Sequence, residues 1–145
     1  MIRGHPDSAH TCYGTTATTG ADTTSHFLLD SQPHFCRGGF CSVAVEYLHS
    51  WDTSYVASAT CQLFTVDQHK NTMLAPQLVS RVDIIPNKCG HLNNNAEDVH
   101  GTFLCRHILK VGIISQDAAH LLVECQNKEP EKLACIGSIE FFVSS

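Results

Sequence analysis

Cysteine and histidine carry most of the reactive chemistry in this sequence. Cys89-x-His91, His100 and Cys105-x-His107 gather five possible metal ligands between residues 89 and 107. Zinc takes thiolate and imidazole ligands in a tetrahedron. On a strand, Cys105 and His107 would share a face, but that face is the apolar one. A histidine-rich loop beside a disulfide therefore competes with a zinc site. There is no C-x2-C pair of the kind zinc knuckles repeat. G-x-S-x-G, H-E-x-x-H and G-x-x-x-x-G-K are also missing. With ten histidines, a Cys/His pair arises by chance. The expectation is a protein that is not an enzyme and needs no cofactor or metal.

Eight cysteines is an even count that suits disulfides in an oxidising compartment. Cys36 and Cys41 enclose Arg37, Gly38, Gly39 and Phe40, a spacing that could close a small disulfide loop. The chain has 145 residues, enough for one domain with one core, and a formal charge of −5. Its nine Lys and Arg form no basic run, which argues against nucleic acid as a partner. No apolar run reaches the roughly 18 to 20 residues of a membrane-spanning helix. The start, MIRGHPDSAHTC, lacks an apolar signal-peptide region, so the sequence reads as a mature chain.

The elements that must position these residues are strands. Ser42 to Leu48 alternates, with Val43, Val45 and Tyr47 opposite Ala44 and Glu46. Tyr55 to Val66 is rich in β-branched and aromatic residues, with two similar faces, and Asp67 to Asn71 reads as a turn. Gln77 to Ile85 sets Leu78, Val82 and Ile84 against Arg81 and Asp83. Thr102 to Ile114 sets Phe103, Leu109, Val111 and Ile113 against Arg106 and Lys110. Near the end, Leu121, Val123 and Cys125 share a side. Cys135, Ile139, Phe141 and Val143 share another, opposite Ser138, Glu140 and Ser144. The polar connector Gln126 to Lys132 suggests that these last two runs form a β-hairpin. Residues 1–24 are polar and Thr-rich; 1–11 read as an irregular arm, with an edge strand near Thr15 to Thr19. Ser25 to Asp30 is a short apolar piece, and Asp52 and Thr53 make a turn. About seven strands without an amphipathic helix predict a single all-β domain over 1–145. Its fold is an antiparallel two-sheet β-sandwich with apolar inner faces.

Several short stretches resemble the ML lipid-recognition family, which includes lysosomal sterol-transfer proteins and the group 2 mite allergens. They are HLLVECQNKEPEKLACIGSIEFFV, Arg37-Gly38 before Cys41-Ser42-Val43-Ala44-Val45, Ile85-Pro86-Asn87-Lys88-Cys89, and His100-Gly101-Thr102-Phe103. The resemblance departs from the family after Cys89, where the next cysteine is Cys105 rather than a near neighbour. It implies an immunoglobulin-like ML fold with an apolar cavity between the sheets. It implies the pairs Cys12–Cys135 and Cys36–Cys41. Cys61, Cys89, Cys105 and Cys125 remain, with Cys89–Cys105 preferred and buried free thiols as the alternative.

The function implied is non-catalytic carriage, transfer or presentation of a sterol, fatty acid or phospholipid tail. Each buried ligand CH2 would contribute about 0.8 kcal/mol. The lining candidates are Tyr47, Val82, Ile84, Phe103, Leu109, Val111, Ile113, Leu121 and Val123, for each of which plain core is the competing and simpler reading. Tyr47 and Phe103 stand out because aromatics line ligand mouths. Protonating all ten histidines would move the charge from −5 to +5, since −5 + 10 = +5. A transient contact with anionic membranes, or with a membrane receptor, follows in acidic surroundings. The expected location is secreted or in the endolysosomal lumen. Two other functions fit the residues: protein recognition by a solid-cored, disulfide-rich sandwich (a viral coat, adhesion or effector domain), and a zinc-binding module.

Overall fold

The computed structural model describes residues 2–3, 11–12, 24–29, 41–50, 56–86, 88–89, 102–112, 118–129 and 131–143. Ten strands run through them. They are β1 (Ile2–Arg3), β2 (Thr11–Cys12), β3 (Thr24–Leu29), β4 (Cys41–Ser50) and β5 (Ala59–His69). Then come β6 (Thr72–Met73), β7 (Gln77–Ile84), β8 (Thr102–Lys110), β9 (Ala118–Asn127) and β10 (Ile136–Val143). The chain is an all-β, antiparallel sandwich of two main sheets. One sheet has the order β10-β4-β8. In the other, β9 lies between β3 and β5, and the far edge of β5 pairs first with β7 and then with β6. A short β1–β2 ladder forms a sheet of its own beside β10.

The alternation read from the sequence sets the inner faces. Val43, Val45 and Tyr47 of β4 meet Leu63, Leu121 and Val123 of the other sheet in one buried cluster. β5 has two similar faces in sequence, and its partners decide between them. Leu63 lies opposite Val123 and Cys61 opposite Cys125, so Leu63 and Cys61 turn inward while Gln62 and Phe64 turn out. Burying each large aliphatic side chain stabilises the fold by about 1.5–3 kcal/mol.

Five sequence expectations are corrected. The last two apolar runs form no hairpin: β9 belongs to the larger sheet and β10 to the smaller one. Their connector arches between sheets, held by bonds within itself and to the Ala57–Ser58 backbone. The Asn127 side chain accepts from Glu129 N at 2.8 Å and donates to Lys132 O at 2.9 Å. The Glu129 carboxylate accepts from Ser58 N at 2.9 Å, and Ala57 N donates to Leu133 O at 2.7 Å. Cys135 sits just before β10, not within it. A register shift between Ile136 and Ser138 puts Cys135 beside Leu48 and Leu104, away from Ile139 and Phe141.

Leu78 also departs from its expected side. The β5–β7 register shifts between Leu63 and Phe64, so Leu78 pairs with Phe64 on the outer face while Val79 packs on the core. An extra residue in one strand reverses the alternation beyond it. Finally, Asp67 to His69 extend β5, and the turn is only Lys70 and Asn71. Lys70 takes a φ of 58°, the left-handed conformation that tight hairpin connections favour. The strand expected to reach Ile114 stops at Lys110, and Gly112 follows with a φ of 70°. The Thr15 to Thr19 strand, the Asp52–Thr53 turn and Ile113 lie outside the described residues.

Disulfides tie the sandwich together. Cys61–Cys125 joins directly opposed residues of β5 and β9, with Cα atoms 4.1 Å apart. It spans 64 residues, worth about 4 kcal/mol in the chain-entropy account. Cys89–Cys105 spans 16 residues. Cys41 and Cys135 are also disulfide-bonded. The implied pairs Cys12–Cys135 and Cys36–Cys41 each involve a side chain outside the described set. Such bonding fits an extracellular or lumenal protein. No helix among the described residues is long and apolar enough to cross a membrane.

The bulge makes a measurable distinction. Leu63→Ala should cost about 2–5 kcal/mol in urea unfolding, as a buried truncation does. Leu78→Ala should change stability by less than about 0.5 kcal/mol. Equal costs would refute the outward placement of Leu78.

Candidate functional site

Two places on the sandwich bear on function: the interior between the sheets and the outer face of the larger sheet. The interior holds the lipid-lining candidates. Tyr47, Ile84, Leu109, Val111, Leu121 and Val123 are fully buried in one contact cluster, with Val82 partly buried against it. The Tyr47 hydroxyl donates to Ala57 O at 2.7 Å, and burial, helped by the nearby Glu129 charge, pushes its pKa up. Phe103 is 2% exposed and lies against the His49 ring, with centroids 5.8 Å apart. Tyr47 and Phe103 are therefore packed side chains, the one against the Ala57 backbone and the other against His49.

The metal-ligand constellation is dispersed. Cys89 and Cys105 are bonded to each other, so neither sulfur is a thiolate ligand. His91 and His100 lie outside the described residues. Among the described residues no three His, Cys, Asp or Glu gather to hold a metal. His107 instead meets His49, a residue that sequence reading passed over. Their Nε2 atoms are 2.9 Å apart, the ring centroids 5.1 Å apart and the planes 18° apart. The two imidazoles thus point end to end in nearly one plane and share one N–H···N hydrogen bond. His49 is fully buried, and among the described residues its Nδ1 has no hydrogen-bond partner. Burial first, and His107 second, lower the His49 pKa to about 4.

The outer face of the larger sheet is built differently. Register aligns its outward side chains into rows that cross four strands. One row is Thr24, Gln126, Thr60 and Asp83; the next is His26, Glu124, Gln62 and Arg81. Thr24, Gln126, Thr60, Glu124, Gln62 and Arg81 of these rows, with Lys128, line an open groove, and Asp83 stands at its edge. Bonds between strands and along β7 fix its walls. The Thr60 hydroxyl donates to Asp83 Oδ1 at 2.9 Å, and Arg81 donates to the same oxygen from Nη2 at 3.1 Å and Nε at 3.3 Å. The Thr60 bond first, then Arg81, hold the Asp83 carboxyl below its usual range. His26 Nε2 lies 3.0 Å from Glu124 Oε1. The Gln62 amide makes no hydrogen bond among the described residues. The third row is apolar: Leu28, Leu122, Phe64 and Leu78, with Leu28 51% and Leu78 55% exposed.

Sequence reading missed the groove. Alternation placed Arg81 and Glu124 on polar faces, but which strands are neighbours is a long-range property. The fold that results is a disulfide-stitched antiparallel β-sandwich. No family model and no curated protein matches the chain. A similar solved structure is that of a carbohydrate-binding module specific for non-crystalline cellulose, CBM28. The two align with a TM-score of 0.50 and 10% identity, covering 93% of this chain and 74% of the other. At that identity the likeness is one of fold.

The imidazole pair predicts a pH response. The unfolded chain binds a proton at His49 near pH 6.5, whereas the folded chain resists it until about pH 4. This contribution to stability is complete above pH 6.5 and is lost as pH falls toward 4, by about 3 kcal/mol. Urea unfolding at pH 7 and pH 4 measures it. In His49→Phe the loss between those pH values should be smaller by about that amount, and an unchanged loss would refute the assignment.

Proposed function

We propose that this chain is a non-catalytic binding module that takes a neutral, hydroxyl-rich glycan in the groove on the outer face of its larger sheet. The observation that carries the reading is the lining itself. Amide, hydroxyl and charged groups from four adjacent strands converge there, and Arg81 and Lys128 are offset by Glu124 in the lining and by Asp83, bound to Arg81 at the groove's edge. Donors and acceptors without a net charge suit hydroxyl groups better than a phosphate or a cation. Polar groups fixed by their own hydrogen bonds bind without first being ordered, which lowers the cost of association. The ligand class of the structurally similar module agrees with this choice, as a matter of analogy.

Glycoside hydrolysis is a poor fit. It needs a carboxylic acid whose pKa is raised. Asp83, at the edge of the groove, is shifted the other way by Thr60 and Arg81. Lipid carriage between the sheets has the ML resemblance as its support. Its candidate residues are equally well explained as core, since most are buried in a single cluster spanning both sheets.

Affinity electrophoresis through gels containing neutral soluble polysaccharides tests the proposal. A shallow, solvent-open site should give Kd values between about 1 mM and 1 μM. Gln62→Ala should weaken binding about 2- to 12-fold, the value of one hydrogen bond between uncharged groups. If no neutral glycan retards the protein, the reading fails. A sterol, fatty acid or phospholipid released by organic extraction of the same preparation would then favour the inter-sheet reading.

A further inference from the structure

We infer that the groove's ligand is an extended chain of pyranose rings laid across the strands, with the outward row at Phe64 as its apolar shelf. This rests on the glycan reading of the groove and goes further by naming the ligand's shape, its direction and the residue that selects it.

Leu28, Leu122, Phe64 and Leu78 come from β3, β9, β5 and β7 and stand side by side at matched register. An apolar row on an otherwise polar sheet face is the informative kind of exposure. The shelf adjoins the groove, because Phe64 is two residues from Gln62 and Leu122 two residues from Glu124. Successive outward residues on a strand are about 6.7 Å apart, and neighbouring strands about 4.8 Å apart. The face therefore presents a band of hydrogen-bonding groups alongside a parallel band of apolar ones, within the width of one sugar ring.

A pyranose ring has the matching pattern, with apolar C–H groups on its faces and hydroxyls around its edge. The strand spacing is comparable to the length of one sugar unit. A chain crossing the strands would therefore meet about one strand per sugar. A chain running along the strands would stay on two strands and lie half on the shelf and half off it. Four strands supply four subsites. Phe64 supplies the stacking surface from the central strand. It is partly buried between Leu122 and Leu78, so its ring is held in place before the ligand arrives. Leu28 and Leu78 extend the shelf at the two edges.

Isothermal titration of the intact, oxidised protein with cello- and manno-oligosaccharides of two to six units tests the inference. Affinity should rise with each added unit up to four and then level off. Phe64→Ala should weaken tetrasaccharide binding about tenfold, the scale of one aromatic contact, while Phe64→Tyr stays within about threefold of the parent. Leu78→Ser alters an exposed position and should weaken the tetrasaccharide about two- to threefold while leaving the disaccharide unaffected. A Gln62→Ala variant that loses affinity while Phe64→Ala and Leu78→Ser keep theirs would overturn the shelf but leave the groove reading standing. Affinity that does not grow with chain length would overturn the crosswise chain. Failure of every oligosaccharide and polysaccharide to bind would overturn both this inference and the reading it rests on.

Discussion

The pairing of β5 with β9 is the constraint on which the rest of the sandwich depends. It sets Leu63 against Val123 and Cys61 against Cys125 on the inner face. It also sets Gln62 against Glu124 and Phe64 against Leu122 on the outer one. A slip of one residue would exchange the two faces of β5, putting Gln62 into the core and Leu63 into water. Burial of Leu63 and the covalent bond at Cys61 both oppose that slip. The outer rows are thus fixed by forces that act on the opposite side of the sheet.

The bulge between Leu63 and Phe64 adds a second constraint. Without it, strict alternation would keep Leu78 on the core side, with Val82 and Ile84. The extra residue gives that inward place to Val79 and sends Leu78 out beside Phe64. The polar rows lie on one side of this irregularity, where Arg81 and Asp83 keep their outward positions opposite Gln62 and Thr60. One added residue in an edge region therefore changes the chemical character of the outer face partway along it.

Much of the fold was legible because it rests on local alternation. Val43, Val45 and Tyr47 have apolar side chains at a period of two, and β4 buries that side as the pattern requires. The absent hairpin shows where local reasoning stops. β9 and β10 have the right patterns and a short polar connector, but nothing local says whether two such strands share a sheet. Here Glu129 reaches Ser58 and Leu133 accepts from Ala57, contacts with residues distant in sequence that carry the chain over to the smaller sheet. Cys61–Cys125 was illegible for the same reason, since it depends on which strand lies beside β5. His49 gave no signal because its partner, His107, faces Val45 in the register and comes within side-chain reach only once β4 and β8 are paired. The groove needed the order of four strands, none of which follow one another directly in the chain.

The cross-strand disulfide also changes what a protease can achieve. Lys70 and Asn71 form an exposed hairpin tip, the kind of place where chains are nicked. A cut there would fall between Cys61 and Cys125, so the two fragments would stay covalently joined. The β5–β9 ladder would remain in register across the cut molecule. A protein built this way can persist as a two-chain molecule in a proteolytic environment, with its outer face still assembled.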